Sequence, residues 1–443
     1  MSNHFYLTVA MIFIALPVWT QDGSSGAEPA ATGISETDEH MVVPTPVGTE
    51  GYSMAFAAET PRTNFVRGNM RFGTAYDDNI LPSSSTAVSD VTYSIWPSIT
   101  LNQSRSTLRW DLTYTPGFTF YQRNSSYNES DQNVNLGVQY RLSPYVTLTV
   151  NDSFQKTSNP LNLSSQNPDS STSGVVQVPN VSIIPPITDM VSNFGNVELT
   201  YQFARDSMVG GKGTLSGLWY PHRDETPGLY DSTAGAGEVF YARRLSGLHY
   251  VGVTYQFQHL QSRPSPIDTQ TQNVLFFYTL TLQPRLSLSL FIGPEYSHTY
   301  GGDVLVNRWS PAAGASVGWQ GTHSSLSASY SRKTSEGGGL RVAVLATDLG
   351  ISGRWQFTRN MTAGLGANYS INNVLDSTLE DTGGHTFSGA FSLERRLREN
   401  LHMQVGYTRL RQRYSNFFVA SDIPDRNYVW LSLSYQFQRP LGR

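Results

Sequence analysis

The feature that most constrains the fold of this chain is a strict alternation of apolar and polar residues, repeated in many long segments. In "STLRWDLTYTPGFTFYQ" (106–122) every even position from 108 to 120 is apolar, and the odd positions from 109 to 119 are small or polar. The segments "NVNLGVQYRL" (133–142) and "MTAGLGANYSI" (361–371) alternate in the same way. A period of two residues is that of a β-strand with two different faces. The sequence therefore predicts an all-β protein.

The alternating segments are longer than the strands of an ordinary soluble sheet. They run for about ten to thirteen residues, whereas soluble strands average about five or six and a tilted transmembrane strand needs about nine to eleven. Short links alternate along the chain with long polar links. The short links are 142–146, 204–207, 245–248, 282–286, 320–323, 358–360 and 398–400, and the long links include 77–90, 123–131, 158–191, 221–235 and 414–426.

Short turns at one rim and longer loops at the other are typical of barrels in bacterial outer membranes. Hydrocarbon offers backbone amides no hydrogen-bond partner, so a sheet inside it must close on itself. We therefore predict a transmembrane antiparallel up-and-down β-barrel over residues 63–439, with an even number of strands, about 18, and 16 as the alternative. The start of the first strand and the end of the last strand are both expected at the rim of the short turns.

The N-terminal region differs in composition from the predicted barrel. The apolar run "FYLTVAMIFIALPVW" (5–19) is too short to span a bilayer as a helix, and it has the length of the apolar region of a secretory signal. We predict a signal peptide over residues 1–20, with cleavage after Thr20 or after Ala27. Residues 21–62 are rich in Ser, Gly, Ala, Pro, Thr and Glu without apolar periodicity, which predicts a flexible linker.

Overall composition narrows the chemistry that the chain can carry. Charged residues make up 14% and the net charge is −4, which gives no indication of a nucleic-acid partner. The chain has no cysteine, which excludes disulfides and thiolate metal sites. We predict no cofactor, no metal site and no enzymatic activity.

We expect the inward face of the barrel to be small or polar, and the alternation also assigns charged side chains to this face. A charge on the lipid face costs about 2–4 kcal/mol at the bilayer midplane, so charged residues within strands are expected to face the lumen. Both signs occur in this set, and a mixed set predicts weak ion selectivity. The long link 158–191 is predicted to fold inward and narrow the channel. The candidates for lining the lumen are Arg67, Arg71, Arg109, Asp111, Arg141, Glu198, Glu295, Arg354, Glu394, Arg396 and His402.

A recurring triplet marks several predicted strand ends. Tyr-Gln-Phe occurs at 201–203, 255–257 and 435–437, and Trp-Gln-Phe occurs at 355–357. Aromatic side chains favour the two membrane–water interfaces, where they form girdles around a barrel. We expect three of the triplets beside short turns, with the central Gln facing the lumen. The triplet at 255–257 is expected to end a strand at the outer boundary, before a long loop.

The last strand resembles the assembly signal of Gram-negative outer-membrane barrel proteins. In that family a terminal aromatic residue follows alternating apolar residues, which correspond here to Leu431, Leu433, Tyr435 and Phe437; this chain continues for six residues beyond Phe437. The first strand, "FVRGNMRFGTAYDDNI" (65–80), looks like the Gly-rich first strand of porin-type barrels of the "beta-barrel porin 2" kind. The resemblance implies insertion by the barrel assembly machinery into the outer membrane of a Gram-negative bacterium, and it supplies no solute.

The leading functional prediction is a passive, weakly selective channel for small hydrophilic solutes. One alternative is the outer-membrane component of a surface polysaccharide export system, and another is a secreted soluble all-β binding protein. The expected partners are outer-membrane lipid, lipopolysaccharide, the barrel assembly machinery and small hydrophilic solutes. A porin-like trimer is compatible with the sequence, which carries no interface signal.

Three further motifs favour other functions less strongly. The segment "DEHMVVP" (38–44) resembles the box by which TonB-dependent transporters bind their energising partner, but no plug domain fits before the first strand. In a catalytic barrel the candidates would be His222 with Asp224 and Glu225, and His298 with Asp303, although spacing alone defines no nucleophile–base pair. Acidic loop residues could bridge divalent cations to lipopolysaccharide, with solvated charge as the default interpretation: Asp77, Asp78, Glu129, Asp131, Glu380, Asp381 and Asp422.

Overall fold

The computed structural model describes residues 64–80, 87–159, 188–225, 229–265, 267–282, 286–301, 304–335, 343–375, 383–414 and 425–440. The predicted signal peptide and linker, most of the link 158–191, and the residues Asp303, Glu380, Asp381 and Asp422 lie outside these ranges. The described residues form an 18-stranded sheet in which each strand pairs antiparallel with its neighbours in sequence and the last strand pairs with the first. The sheet is therefore a closed barrel with the predicted number of strands.

The strands follow one another without any α-helix between the described residues. Two short 3-10 helices occupy Ser125–Tyr127 and Arg223–Glu225. No helix in the described part of the chain is long and apolar enough to cross a bilayer. The strands are β1 (Phe65–Asp77), β2 (Asp90–Ser104), β3 (Leu108–Tyr121), β4 (Glu129–Ser143), β5 (Val146–Thr157), β6 (Met190–Ala204), β7 (Ser207–Trp219), β8 (Asp231–Arg244), β9 (His249–Arg263), β10 (Asp268–Leu282), β11 (Leu286–Gly301), β12 (Val304–Gln320), β13 (Ser324–Ser335), β14 (Val344–Thr358), β15 (Met361–Val374), β16 (Gly383–Arg398), β17 (Leu401–Tyr414) and β18 (Arg426–Pro440).

The two rims of the barrel differ in the length of their links. Every link from an even to an odd strand is short, and these links together form the short-turn rim. The opposite, outer rim carries the long links, although β9 to β10 and β11 to β12 are joined there by short links as well. The barrel closes by pairing β1 with β18 from Phe65↔Pro440 to Asp77↔Tyr428. The start of β1 and the end of β18 therefore lie together at the short-turn rim.

The outward face of the barrel is a belt of exposed apolar side chains. Examples lie all around the wall: Phe72 on β1, Leu215 on β7, Ile292 on β11 and Leu365 on β15 are at least half exposed. A soluble protein does not surround a closed sheet with such a surface, because apolar patches of this size drive association. The soluble alternative is thereby excluded, and the fold is that of a barrel in the outer membrane of a Gram-negative bacterium.

The strands are longer than the sequence predicted, because they continue beyond the apolar belt. On β9 the outward side chains change from Tyr255 and Phe257 to His259, Gln261 and Arg263 before the strand ends. The triplet at 255–257 therefore lies at the outer edge of the belt, as expected. The expectation that a strand ends there and a long loop follows was wrong, since β9 runs to Arg263 and its link to β10 is short.

At the short-turn rim the triplets have a second role. The register shifts between Tyr201 and Ala204 and between Gln356 and Thr358, so two triplets sit on β-bulges, which terminate pairing at the rims of barrels. The Gln202 and Gln356 side-chain amides donate to the turn carbonyls of Arg205 and Arg359, at 3.1 Å and 3.4 Å. The aromatic residues thus face lipid while the central Gln closes the turn.

Candidate functional site in the barrel lumen

The sequence-predicted lumen candidates lie on the strand faces opposite the exposed apolar side chains, in different surroundings. His402 Nδ1 lies 3.0 Å from Glu394 Oε1 on the neighbouring strand, and Arg67 Nη2 lies 3.4 Å from Gln438 Oε1. Arg141 and Arg396 are exposed close to the short-turn rim. The remaining candidates are Arg71 on β1, Arg109 and Asp111 on β3, Glu198 on β6, Glu295 on β11 and Arg354 on β14.

The register aligns three charged side chains on neighbouring strands β6, β7 and β8. Glu198 pairs with Lys212, and Lys212 pairs with Glu238. Lys212 interacts electrostatically with both carboxylates. The row continues through polar residues of β9 and β10 to Glu295 on β11. Sequence reasoning missed Lys212 and Glu238, because their strands are rich in glycine and alanine and show a weak apolar stripe.

At the outer rim β13 separates from β12, and residues at the outer ends of β13, β14 and β15 pack against inward residues of β8 and β9. Pairing between β12 and β13 stops at Ala313↔Arg332, while β13 continues to Ser335 paired with β14 only. We call residues 333–335, 343–346 and 374–375 the in-folded segment. With inward residues of β7, β8 and β9 it lines a shared recess: Thr214, Ser216, Ala234, Ala236, Gln256, Gln258, Lys333, Thr334 and Ser335.

Glu295 anchors the in-folded segment. Its Oε1 accepts hydrogen bonds from the backbone N–H of Thr334 at 3.0 Å and from the Thr334 hydroxyl at 2.6 Å. The hydroxyl of Ser310 donates to the same oxygen at 3.4 Å. Glu295 is only 1% exposed. This carboxylate is therefore a buried structural tie inside the lumen.

An apolar contact holds the other part of the in-folded segment. Ala343, Leu345 and Leu375 are buried together with Ala234 of β8 and Leu260 of β9. Along the wall, β9 and β13 are separated by β10 to β12, so this contact is made across the lumen. The in-folded segment consequently narrows the barrel on the side of β8 to β13.

Lys333 carries charge into this narrowed part of the lumen. It interacts electrostatically with Glu238 on β8 and with Asp348 on β14. The acidic side chains Glu198, Glu238 and Glu295 thus occupy one part of the wall together with two lysines. All six arginine candidates lie on the other part, on β1, β3, β4, β14 and β16, together with Asp111 and Glu394.

The inward face is not small or polar throughout, and that expectation was wrong for β7 to β12. An apolar cluster lies there toward the short-turn rim. Rings of this cluster occupy the space over glycines of the neighbouring strand, as Phe277 does over Gly252 and Phe291 over Gly314. A glycine lets a ring lie against the backbone and keeps the lumen open. The cluster consists of Met208, Phe240, Ala242, Leu275, Phe277, Phe291 and Ala312.

Two tryptophans face the lumen on the arginine-rich side. Trp96 lies over Gly117, and Trp430 lies over Gly406. Together with Arg71 they line one recess whose floor is made of small residues of β1, β2 and β18. The wall of β1, β2 and β18 therefore presents two tryptophans and Arg71 to the lumen, whereas the side of the in-folded segment presents carboxylates together with two lysines.

The histidines considered for catalysis have other surroundings. His222 Nδ1 lies 3.5 Å from Asp189 Oδ2. His298 Nδ1 lies 2.6 Å from Asn307 Oδ1 on the outward face of β11 and β12. In neither pairing does the histidine contact a hydroxyl nucleophile, so these contacts give no support to a catalytic barrel.

Comparison with known proteins finds solved structures that align over most of the chain at low identity, and no match in sequence. No family model matches the chain, and no curated protein matches it. The structure of OccAB4 from Acinetobacter baumannii covers 85% of this chain and 99% of its own, with 8% identity and a TM-score of 0.44. OpdK from Pseudomonas aeruginosa, solved with vanillate, covers 84% and 99%, with 9% identity and a TM-score of 0.40. The unliganded ferric citrate transporter FecA covers 85% and 79%, with 10% identity and a TM-score of 0.43.

Proposed function

We propose that this outer-membrane barrel is a passive, weakly selective channel for small hydrophilic solutes. The observation that carries the proposal is a closed 18-stranded wall with a largely polar lumen, narrowed on one side by the in-folded segment. Barrels of 16 to 18 strands generally enclose an aqueous channel. None of the contacts described for the in-folded segment involves β1 to β4. We therefore assign the solute path to the side of the lumen lined by these strands.

The distribution of charge supports weak selectivity by sign. A solute passing the in-folded segment meets Arg71 on one side and Lys333 with Glu238 and Asp348 on the other. The other wall arginines lie closer to the short-turn rim. Cations and anions both find partners along this path, so neither is excluded. Paired groups such as Glu394 with His402 further reduce the net field in the lumen.

Conductance and solute uptake test the proposal directly. The purified barrel is inserted into planar bilayers, and liposomes carrying it are exposed to sugars of graded size. We expect steady single-channel currents, a cation-to-anion permeability ratio within a few-fold of one, and swelling rates that fall with sugar size. A barrel that stays closed in both assays would contradict the channel and favour the export component, which opens only with its partners. A permeability ratio far from one would contradict weak selectivity alone.

A further inference from the structure

A row of arginines lies on the outward face of β17, at the end away from the short-turn rim. Arg409, Arg411 and Arg413 are exposed, and the residues between them face the lumen and are buried. Because side chains alternate along a strand, the three guanidinium groups point to the same side of the wall. Outward positions recur about every 6.6 Å, so the row extends over about 13 Å.

The arginine row begins where the apolar belt ends. Below it on the same face of β17 lie Tyr407 and Val405, which are 39% and 41% exposed. Tyrosine at this position belongs to the aromatic girdle that marks the membrane–water boundary. The next outward residues lie at the depth of the lipid headgroups. At the outer rim these are the headgroups of the outer leaflet.

The described surroundings of the row do not balance its charge. Asp425 is shared by two of the three arginines: its Oδ2 lies 2.9 Å from Arg409 Nη2, and its Oδ1 lies 3.4 Å from Arg411 Nε. On β16 the outward neighbours are Phe387 beside Arg411 and His385 beside Arg413. His385 is hydrogen-bonded to the Tyr369 hydroxyl at 2.8 Å. On β18, Asn427 pairs with Arg409 and its backbone N–H and side-chain amide donate to the carboxylate of Asp78. The described residues thus set two carboxylates against three arginines. Within that part of the chain the row remains net positive, and like charges so close to each other are unfavourable without an anion.

We propose that the arginine row binds the phosphate groups of lipopolysaccharide in the outer leaflet. Guanidinium forks match phosphate oxygens in two parallel charge-assisted hydrogen bonds. A row that extends over about 13 Å engages more than one phosphate of a single headgroup. The apolar belt directly below receives the acyl chains, so headgroup and chains of one lipid are bound by one strip of wall. The proposal depends on the outer-membrane location and not on the channel activity.

The test compares two triple variants of the full chain. In the first, Arg409, Arg411 and Arg413 are changed to Gln. The control changes Arg105, Arg359 and Arg398 to Gln; these arginines are exposed at the short-turn rim, so the same charge is removed at the other leaflet. The migration of unboiled samples in a denaturing gel is used to check that both variants form closed barrels.

Two measurements are made on each protein. The first is the amount of lipopolysaccharide that stays bound through detergent extraction and washing. The second is a titration in micelles with lipid A and with chemically dephosphorylated lipid A. We expect the outer triple variant to lose most of the retained lipid and to bind lipid A about tenfold more weakly or worse. The control is expected to behave as the wild type, and dephosphorylated lipid A is expected to bind wild type and outer variant alike.

Several outcomes would overturn the proposal. Equal retention of lipopolysaccharide by the wild type and the outer variant would show that the row does not hold the lipid. Equal binding of phosphorylated and dephosphorylated lipid A to the wild type would show that the acyl chains alone are recognised. An equal loss in the control would assign the effect to total charge. Tighter binding of a soluble polyphosphate than of lipid A would assign the row to a soluble anion.

Discussion

The tie between Glu295 and Thr334 makes a quantitative prediction about the in-folded segment. Changing Glu295 to Ala removes the acceptor of three hydrogen bonds, two of them at 2.6 Å and 3.0 Å. Hydrogen bonds to a charged group contribute about 1.5–3 kcal/mol each. Water in the lumen replaces part of this contribution once the segment moves, so we expect a net loss of about 2 kcal/mol, which raises the released population about 30-fold.

Two assays follow the release. In planar bilayers the Glu295→Ala variant is expected to show a larger mean conductance and more frequent current fluctuations. Since the chain has no cysteine, a cysteine pair at Leu260 and Ala343 reports the cross-lumen contact by disulfide formation under mild oxidation. We expect the Glu295→Ala change to lower the yield of that disulfide. Glu295→Gln keeps an acceptor oxygen and is expected to lie close to the wild type.

The matched control is Glu394→Ala. Glu394 also faces the lumen, but it pairs with His402 on β17 and is not among the described contacts of the in-folded segment. Its loss changes the lumen charge by the same amount. The reasoning fails if Glu295→Ala and Glu394→Ala change conductance equally while the disulfide yield of the cysteine pair stays constant.

Three further predictions concern assembly and stability. Gly293→Ala should destabilise the barrel by about 1–3 kcal/mol, because the new Cβ would meet the backbone of β10. Gly237→Ala, where nothing lies within 4 Å of the new Cβ, should be neutral. Equal urea midpoints of the two variants would contradict this prediction. Asp77→Ala should cost about 3–5 kcal/mol in urea unfolding, because it leaves a buried arginine of β18 unpaired; a loss below 1 kcal/mol would refute it. Phe437→Ala should slow folding into vesicles more than Phe203→Ala, an equally exposed aromatic at another short turn; equal rates would argue against a special role of the last strand.

The wall of the barrel could be predicted because its information is local. Each strand carries its own two-residue period, so the strand number and the inward or outward direction of each side chain follow from reading one segment at a time. The charged candidates could be assigned to the inward face for the same reason. The outer end of each strand could not be predicted. The apolar stripe stops at the membrane boundary, whereas hydrogen bonding between strands continues beyond it, as on β9.

The in-folded segment could not be predicted from alternation, since it depends on contacts between strands that are not neighbours. One local signal was present. Residues 343–346 are four consecutive apolar residues that are all buried, a pattern typical of a strand covered on both faces. The tie at Glu295 had no such signal, because an inward carboxylate in an open lumen and one that anchors a segment have the same sequence pattern.

The seam between β1 and β18 has a consequence for biogenesis. Every residue of β1 has its pairing partner on β18 more than 350 positions later in the chain. The first strand therefore cannot complete its hydrogen bonding until the last strand is present. A product that stops anywhere before residue 426 would keep two bare backbone edges, which are prone to pair with other chains. The translocated polypeptide therefore has to be kept from pairing with other copies of the same chain until its last strand has been translocated.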